Sequence, residues 1–192
     1  MTEVIDDGST AGAAPVSVRL RPTMLSDLDF VLTVEHDPDH IAYITPWERP
    51  QHEGAVRFPD FRHFIIEVAT DSPAANAGGG MANGTEAVGF VILQGCRNHH
   101  RSIELKRMVV QTKGRGIGRQ CIRLLKRMAF QDLHAHRFWL DVKGLNVRAK
   151  ALYDSEGFIV EGVLRDAVMV DGGFDSLIVM SLLETEYPQN PR

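Results

Sequence analysis

Apolar residues along this chain follow two rhythms, and the change from one to the other marks out its elements. Ile117, Cys121, Leu124, Leu125 and Met128 return every three or four positions, which gathers one stripe on a helix and predicts a helix over Ile117–Gln131. Leu28, Val31 and Leu32 share one face in the same way within Ser26–Val34. Val16–Leu20, Phe61–Ala69, Glu86–Cys96, Arg101–Val110 and Arg137–Val142 read as strands. Arg101–Val110 alternates at its start and becomes apolar at its end, as a strand entering a covered sheet does. Gly157–Val170 and Phe174–Leu183 flank Asp171, Gly172 and Gly173, which predicts a hairpin. Four prolines, at 38, 46, 50 and 59, cut Asp37–Asp60 into brief helices and loops. Ser72–Gly84 is small, polar and glycine-rich, and reads as a mobile hairpin loop rather than a domain linker.

At 192 residues the chain has enough length for one core. The expected organisation is a flexible tail over 1–15, a single domain over 16–185 and a short C-terminal tail over 186–192. A net charge of −4 argues against general nucleic-acid binding, which needs a basic excess to displace counterions. No run reaches the ~18 apolar residues of a membrane span, and Met1–Pro15 lacks the basic and apolar regions of a secretory signal. Cys96 and Cys121 have no C-x-x-C spacing, so a reducing, cytoplasmic setting is expected, without a disulfide or a metal. Cys121, on the apolar stripe of its helix, reads as a small core residue rather than a nucleophile.

One short segment departs from this ordinary background. Gly114–Gly118 reads G-R-G-I-G and lies between a strand and a helix, an arrangement that points bare N–H groups and a positive helix end at one anion. Lys113, Arg115, Arg119 and Arg123 surround it, and no acid falls between Lys113 and Arg127, so the ligand expected there is a phosphate-bearing cofactor. A P-loop is excluded because G-x-x-x-x-G-K-[ST] is absent. A dinucleotide fingerprint fails at its third glycine, which falls on Arg119 or Cys121, although Asp141 sits near where a ribose-binding acid would be. Farther on, Asn146–Phe158 reads N-V-R-A-K-A-L-Y-D-S-E-G-F, with a helix cap at Asn146, an apolar face at Ala149, Leu152 and Tyr153, and Gly157 to end the turn.

Together, K-G-R-G-I-G and N-V-R-A-K-A-L-Y-D-S-E-G-F closely resemble the two signatures of the GNAT superfamily of acetyl-coenzyme A dependent N-acetyltransferases. The resemblance runs from about Val18 to Leu183, and Lys113 stands where Gln or Arg is usual. E-G-V-L-R-D and M-S-L-L-E-T-E-Y add a likeness to the branch containing ribosomal-protein N-terminal and spermidine acetyltransferases. The fold it implies is of the α/β (α+β) class, a mixed, mostly antiparallel sheet of about seven strands with helices on both faces. The sheet would open between the strand ending at Val110 and Arg137–Val142. Backbone groups of Met108, Val109 and Val110 would pair with the pantetheine arm of acetyl-CoA like an added strand. Pyrophosphate would rest on the amides of Gly114, Arg115, Gly116, Ile117, Gly118 and Arg119 beside Lys113, and the segment containing Asn146, Arg148, Ala149 and Tyr153 would wall the gap.

The same resemblance implies the chemistry. Tyr153 matches the family's general acid, and Glu104 matches the base of some members, with His36, His52, His99, His100 and water as rivals. The acceptor would be a primary amine on a polyamine-like molecule or a protein N-terminus. Eight acids between Ser26 and Asp60 provide either a field for a cationic amine or an ordinary solvated surface. A homodimer, a non-catalytic acyl-CoA-binding module and a nucleotide-dependent oxidoreductase remain open at this point.

Overall fold

The computed structural model describes residues 17–70 and 84–188; the N-terminal tail and the 72–83 part of the loop fall outside the described residues. Seven strands form one sheet: β1 Val18–Pro22, β2 Phe61–Thr70, β3 Gly84–Gln94, β4 Ser102–Val110, β5 Arg137–Lys143, β6 Ile159–Val170 and β7 Gly173–Leu183. Their order is β1-β2-β3-β4-β5-β7-β6, and every neighbouring pair is antiparallel except β4 with β5. The implied mixed, mostly antiparallel sheet of seven strands is therefore present. It rules out the dinucleotide reading, which requires a doubly wound parallel sheet.

Both faces are covered, and strand alternation supplies both cores. Ile66, Val68, Val91 and Leu93 pack with Ile117, Cys121 and Leu125 of α4, Ile117–Arg127, and with Tyr153 of α5, Val147–Ser155. Ile65, Phe90 and Ile92 point the other way, onto Leu28, Val31 and Val34 of α1, Leu28–Glu35. Pro38 opens the short α2, Pro38–Ile41, which Asp37 caps by accepting the Asp39 N–H at 2.9 Å, while Pro50 lies in the first turn of α3, Arg49–Arg57. The expected 15-residue helix ends earlier: α4 stops at Arg127 and Met128–Asp132 continues as a π turn. Tyr187 is buried and stacks on Phe130 at 4.8 Å, so the chain still contributes to the core there. Among the described residues no helix is long and apolar enough to cross a membrane.

Two irregularities shape the middle of the sheet. Gly89 lies so close to β4 that an added Cβ would come 2.1 Å from the Val109 carbonyl oxygen, a distance only hydrogen can satisfy. The β3–β4 register then skips a residue, pairing Ile92 with Arg107 but Leu93 with Leu105. A bulge of this kind re-aims the side chains beyond it. Leu105 and Met108 consequently both belong to the α4-side core, while Arg107 and Val109 turn towards α1.

Candidate functional site

The two central strands separate almost as soon as they meet. β4 and β5 pair only through Ser102–Arg137, Ile103–Phe138 and Glu104–Trp139, although β4 continues to Val110 and β5 to Lys143. Each is held on its far side, β4 by β3 up to Val110 and β5 by β7 along its whole length, so the gap between them is a fixed fork. Beyond Glu104, the backbone groups of β4 that turn away from β3 have no strand to meet. That is the edge a ligand can extend as an extra strand, and Met108–Val110 form it.

The chain leaves the fork through the glycine turn. Gly114 and Gly116 adopt φ of +87° and +73°, and Gly116 is the N-terminal cap of α4. These left-handed conformations cost other residues about 1–2 kcal/mol each. No side chain caps α4 and its first turn holds no acid, so the amides of Ile117, Gly118 and Arg119 are left to an outside acceptor. Nothing lies within 4 Å of a Cβ built at Gly114 or Gly116, and one at Gly118 would meet only Leu152 of α5, at 3.4 Å. An open, donor-lined, acid-free turn at the mouth of a strand fork fits a pyrophosphate joined to an extended arm. The flanking cations are less uniformly available than their spacing suggests. Arg119 donates to Glu156 at 2.8 Å, Arg123 and Lys126 hold the same carboxylate at 3.2 and 2.9 Å, and Lys113 lies 3.8 Å from Asp39. Burial works to raise the pKa of Glu156, but hydrogen bonds from Lys126 and Arg123 outweigh it and hold the group below the usual carboxylate range. Arg115 has no ion-pair partner among the described residues.

Across the fork, Asn146 caps α5 by accepting the Ala149 N–H at 3.1 Å, which leaves its amide nitrogen to donate elsewhere. Gly157, at φ +93°, ends the helix as its position predicts. Ala149 packs against the core and Arg148 faces solvent. Tyr153 is buried against Phe158, with ring centroids 5.8 Å apart. No hydrogen bond from its hydroxyl is formed among the described residues, so the group is left to donate to a ligand. Burial, reinforced by Cys121 and Asp141, pushes the phenol well above its ordinary pKa and keeps it protonated at neutral pH. Burial likewise raises the Cys121 thiol to about 12, which fits a core residue.

Glu104 occupies the last paired rung, opposite Trp139, where the fork opens, and its carboxylate lies 3.1 Å from Lys106. The rival histidines stand elsewhere. His99 and His100 precede β4 at its closed end, and the exposed His36 is held to the Leu32 carbonyl at 2.9 Å. His52 is fully buried, and that burial lowers its pKa to about 4.

His52 belongs to a buried polar group that the spacing did not disclose: Thr23, Glu35, His52, His63 and Arg107. The available signal was Glu35, one turn past Val31 and seven residues past Leu28, an acid on the apolar stripe of α1. The acidic run of the first third is mostly taken up structurally. Asp27 pairs with Arg21, Asp29 with Arg49, Glu35 with Arg107 and Glu53 with Arg57, while Asp37 caps α2 and Asp60 accepts the N–H groups of Gly95 and Arg97. Most of those acids thus have structural partners, although Asp29 and Asp39 remain exposed.

Residues 17–159 match the acetyltransferase (GNAT) domain family. Spermidine N(1)-acetyltransferase of Vibrio cholerae is 29% identical over 101 residues, a stretch that covers 52% of this chain and 58% of that protein. Solved structures show the same architecture. Spermidine N-acetyltransferase from Vibrio cholerae in complex with CoA and spermine superposes with a TM-score of 0.74 at 22% identity, over 88% of this chain and 96% of the other. A dodecameric form of spermidine N-acetyltransferase from the same organism gives 0.71 at 22% identity, over 90% and 96%. At that identity these two structures establish a shared fold.

Proposed function

The chain belongs to the GNAT acetyltransferase family, and from that premise we propose that it transfers acetyl from acetyl-CoA to a primary amine of polyamine type. The observation that carries this reading is the three-rung fork leading straight into an uncapped, acid-free helix N-terminus. Acetyl-CoA supplies the activated acetyl group as a thioester and departs as a thiol. The chain's residues do the rest. Met108–Val110 hold the extended arm by backbone hydrogen bonds, the amides of Gly114–Arg119 hold the diphosphate, and Asn146 orients the segment that walls the gap.

The reaction needs an uncharged amine and a proton for the departing sulfur. Glu104, at the opening of the fork, takes a proton from the incoming ammonium directly or through water. Tyr153 delivers one to the sulfur. A phenol near ~10 and a thiol near ~8.5 differ little in solution, and the burial that raises the phenol also disfavours a thiolate, so the transfer remains feasible. The polyamine class is drawn from the relatives with which the chain shares sequence and fold. The dodecameric relative further suggests that this chain is a homo-oligomer.

A thiol-release screen over polyamines, amino acids, aminoglycosides and short peptides tests the reading. Turnover confined to polyamines supports it, and turnover on peptides alone moves the acceptor to a protein N-terminus. Tight coenzyme A binding without turnover of any amine assigns a non-catalytic acyl-CoA module.

A further inference from the structure

Arg107 stands on β4 one residue before the Met108–Val110 edge and is 9% exposed. Its guanidinium serves two partners at once: one nitrogen pairs with the Glu35 carboxylate of α1, and the other donates to the Thr45 carbonyl at 2.7 Å. The same group lies 4.9 Å over the Trp47 ring. Glu35, wholly buried, also accepts the Trp47 N–H at 3.2 Å and bonds His52 Nε2 at 2.7 Å.

The proton positions behind Glu35 follow from donor and acceptor rules. An ionised carboxylate only accepts, so His52 Nε2 carries hydrogen and His52 Nδ1 accepts from His63 Nε2 at 3.1 Å. His63 Nδ1 in turn accepts from the Thr23 hydroxyl at 2.9 Å. On the other side of the fork, buried Lys143 at the end of β5 donates to the Ala42 carbonyl at 3.4 Å. Each of the two strands that part at the fork therefore sends a buried cation to a backbone carbonyl of one segment, Ala42–Trp47.

Stability alone is a poor reason for this arrangement, because a buried ion pair loses in desolvation much of what it gains, and apolar residues of similar volume often serve as well. A fixed distance is what apolar packing would not specify. We propose, on the basis of the acetyl-transfer reading above, that Arg107 and Glu35 are positioning residues for the acceptor side of the fork. They hold Ala42–Trp47 at a set height over its open part, on the face away from α4 and α5, so that an amine entering beneath the segment meets the thioester in line for attack. Neither residue touches a reacting atom. Their effect passes through the Thr45 carbonyl and the Trp47 amide and ring.

R107K is the discriminating variant, because an ammonium keeps the charge and the Glu35 pair but lacks the planar fork that also holds Thr45 and covers Trp47. The folded variant is expected to bind coenzyme A as wild type does while losing roughly ten- to a hundredfold in kcat/KM for the amine, the scale of a small misplacement of a reactant. A second readout needs no turnover: in a W139F background, R107K and E35Q should each shift Trp47 emission to longer wavelength and increase its quenching by acrylamide. Wild-type kcat/KM for the amine together with unchanged Trp47 quenching in a folded R107K or E35Q overturns the proposal. So does failure of both variants to fold, which assigns the pair to stability. A wild-type enzyme that acetylates no amine defeats the acetyl-transfer reading instead, and leaves Trp47 quenching to judge whether the segment is held.

Discussion

At the scale of single residues, the proposed reaction separates groups that would handle protons from groups that burial keeps from doing so. Tyr153 is buried, and the burial that raises its pKa keeps the phenol protonated at neutral pH. Tyr153→Phe should keep fold and coenzyme A affinity and lower the single-turnover rate by ~10² to 10⁴. A loss below about threefold would identify the ring as packing and leave water as the proton donor. Glu104→Gln should lose rate and shift the acidic limb of the pH profile; an unchanged limb with near-normal turnover would pass the base role to solvent. His52 and His63 are held in the opposite condition, both lowered first by burial, to about 4 and about 3 against an ordinary 6.5. His36 lowers His52 further, while Asp27 opposes the shift at His63, and Glu35 faces His52 directly. The unfolded chain therefore binds protons before the folded one does. The stability associated with these rings is complete above about 6.5 and falls as pH drops towards about 4 for His52 and about 3 for His63, by up to about 1.4 kcal/mol per pH unit for each ring. Urea unfolding at pH 7 and pH 5 measures this, and His63→Gln should flatten the difference; an equal slope in that variant would place the acid sensitivity elsewhere.

At the scale of elements, what could be read from the sequence was whatever leaves a local signature. The apolar stripe of Ile117–Met128, the cap at Asn146 with Gly157 behind it, and the glycine pair at 114 and 116 all report on their own neighbourhoods, and the structure has them as helix, cap and left-handed turn. The buried network was not legible, because Thr23, Glu35, His52, His63 and Arg107 lie on five different elements or loops and share no spacing. The bulge in β4 was equally hidden, since it arises from pairing with β3 and not from the strand's own sequence. Gly89 ties these scales together: Gly89→Ala must push β4 away at the Val109 carbonyl, the strand segment assigned to the pantetheine arm. The expected result is loss of coenzyme A affinity together with lower thermal stability, measured by calorimetry on the same sample. Gly116→Val, in contrast, meets open space and pays mainly the left-handed conformation, so it should weaken coenzyme A binding with a stability loss of about 1–2 kcal/mol. Retained affinity in a folded Gly116→Val protein would remove the diphosphate from the glycine turn.

At the scale of the whole molecule, the long β6–β7 hairpin is the feature that one chain does not explain. Ile159, Val160, Val163, Leu164 and Met169 on β6 and Phe174 on β7 are exposed, Met169 by 78%, although the rest of the sheet is covered on both faces. An apolar surface of this extent ordinarily meets a partner. β6 is also an edge strand, but it is broken by register shifts at Val160–Gly162 and Leu164–Val168, and bulges of that kind discourage strand-to-strand addition. Association through the hairpin's apolar side chains is therefore favoured over extension of the sheet. On the homo-oligomeric reading proposed above, this hairpin is the surface at which a second copy of the chain would meet the first. V163E with L164E should lower the mass measured by light scattering to that of a smaller species while circular dichroism stays unchanged, because a charge buried without a partner in an interface costs more than one facing water. A wild-type protein that is monomeric at all accessible concentrations, or a doubly substituted one that keeps the parent mass, would show that the hairpin contributes no subunit contact.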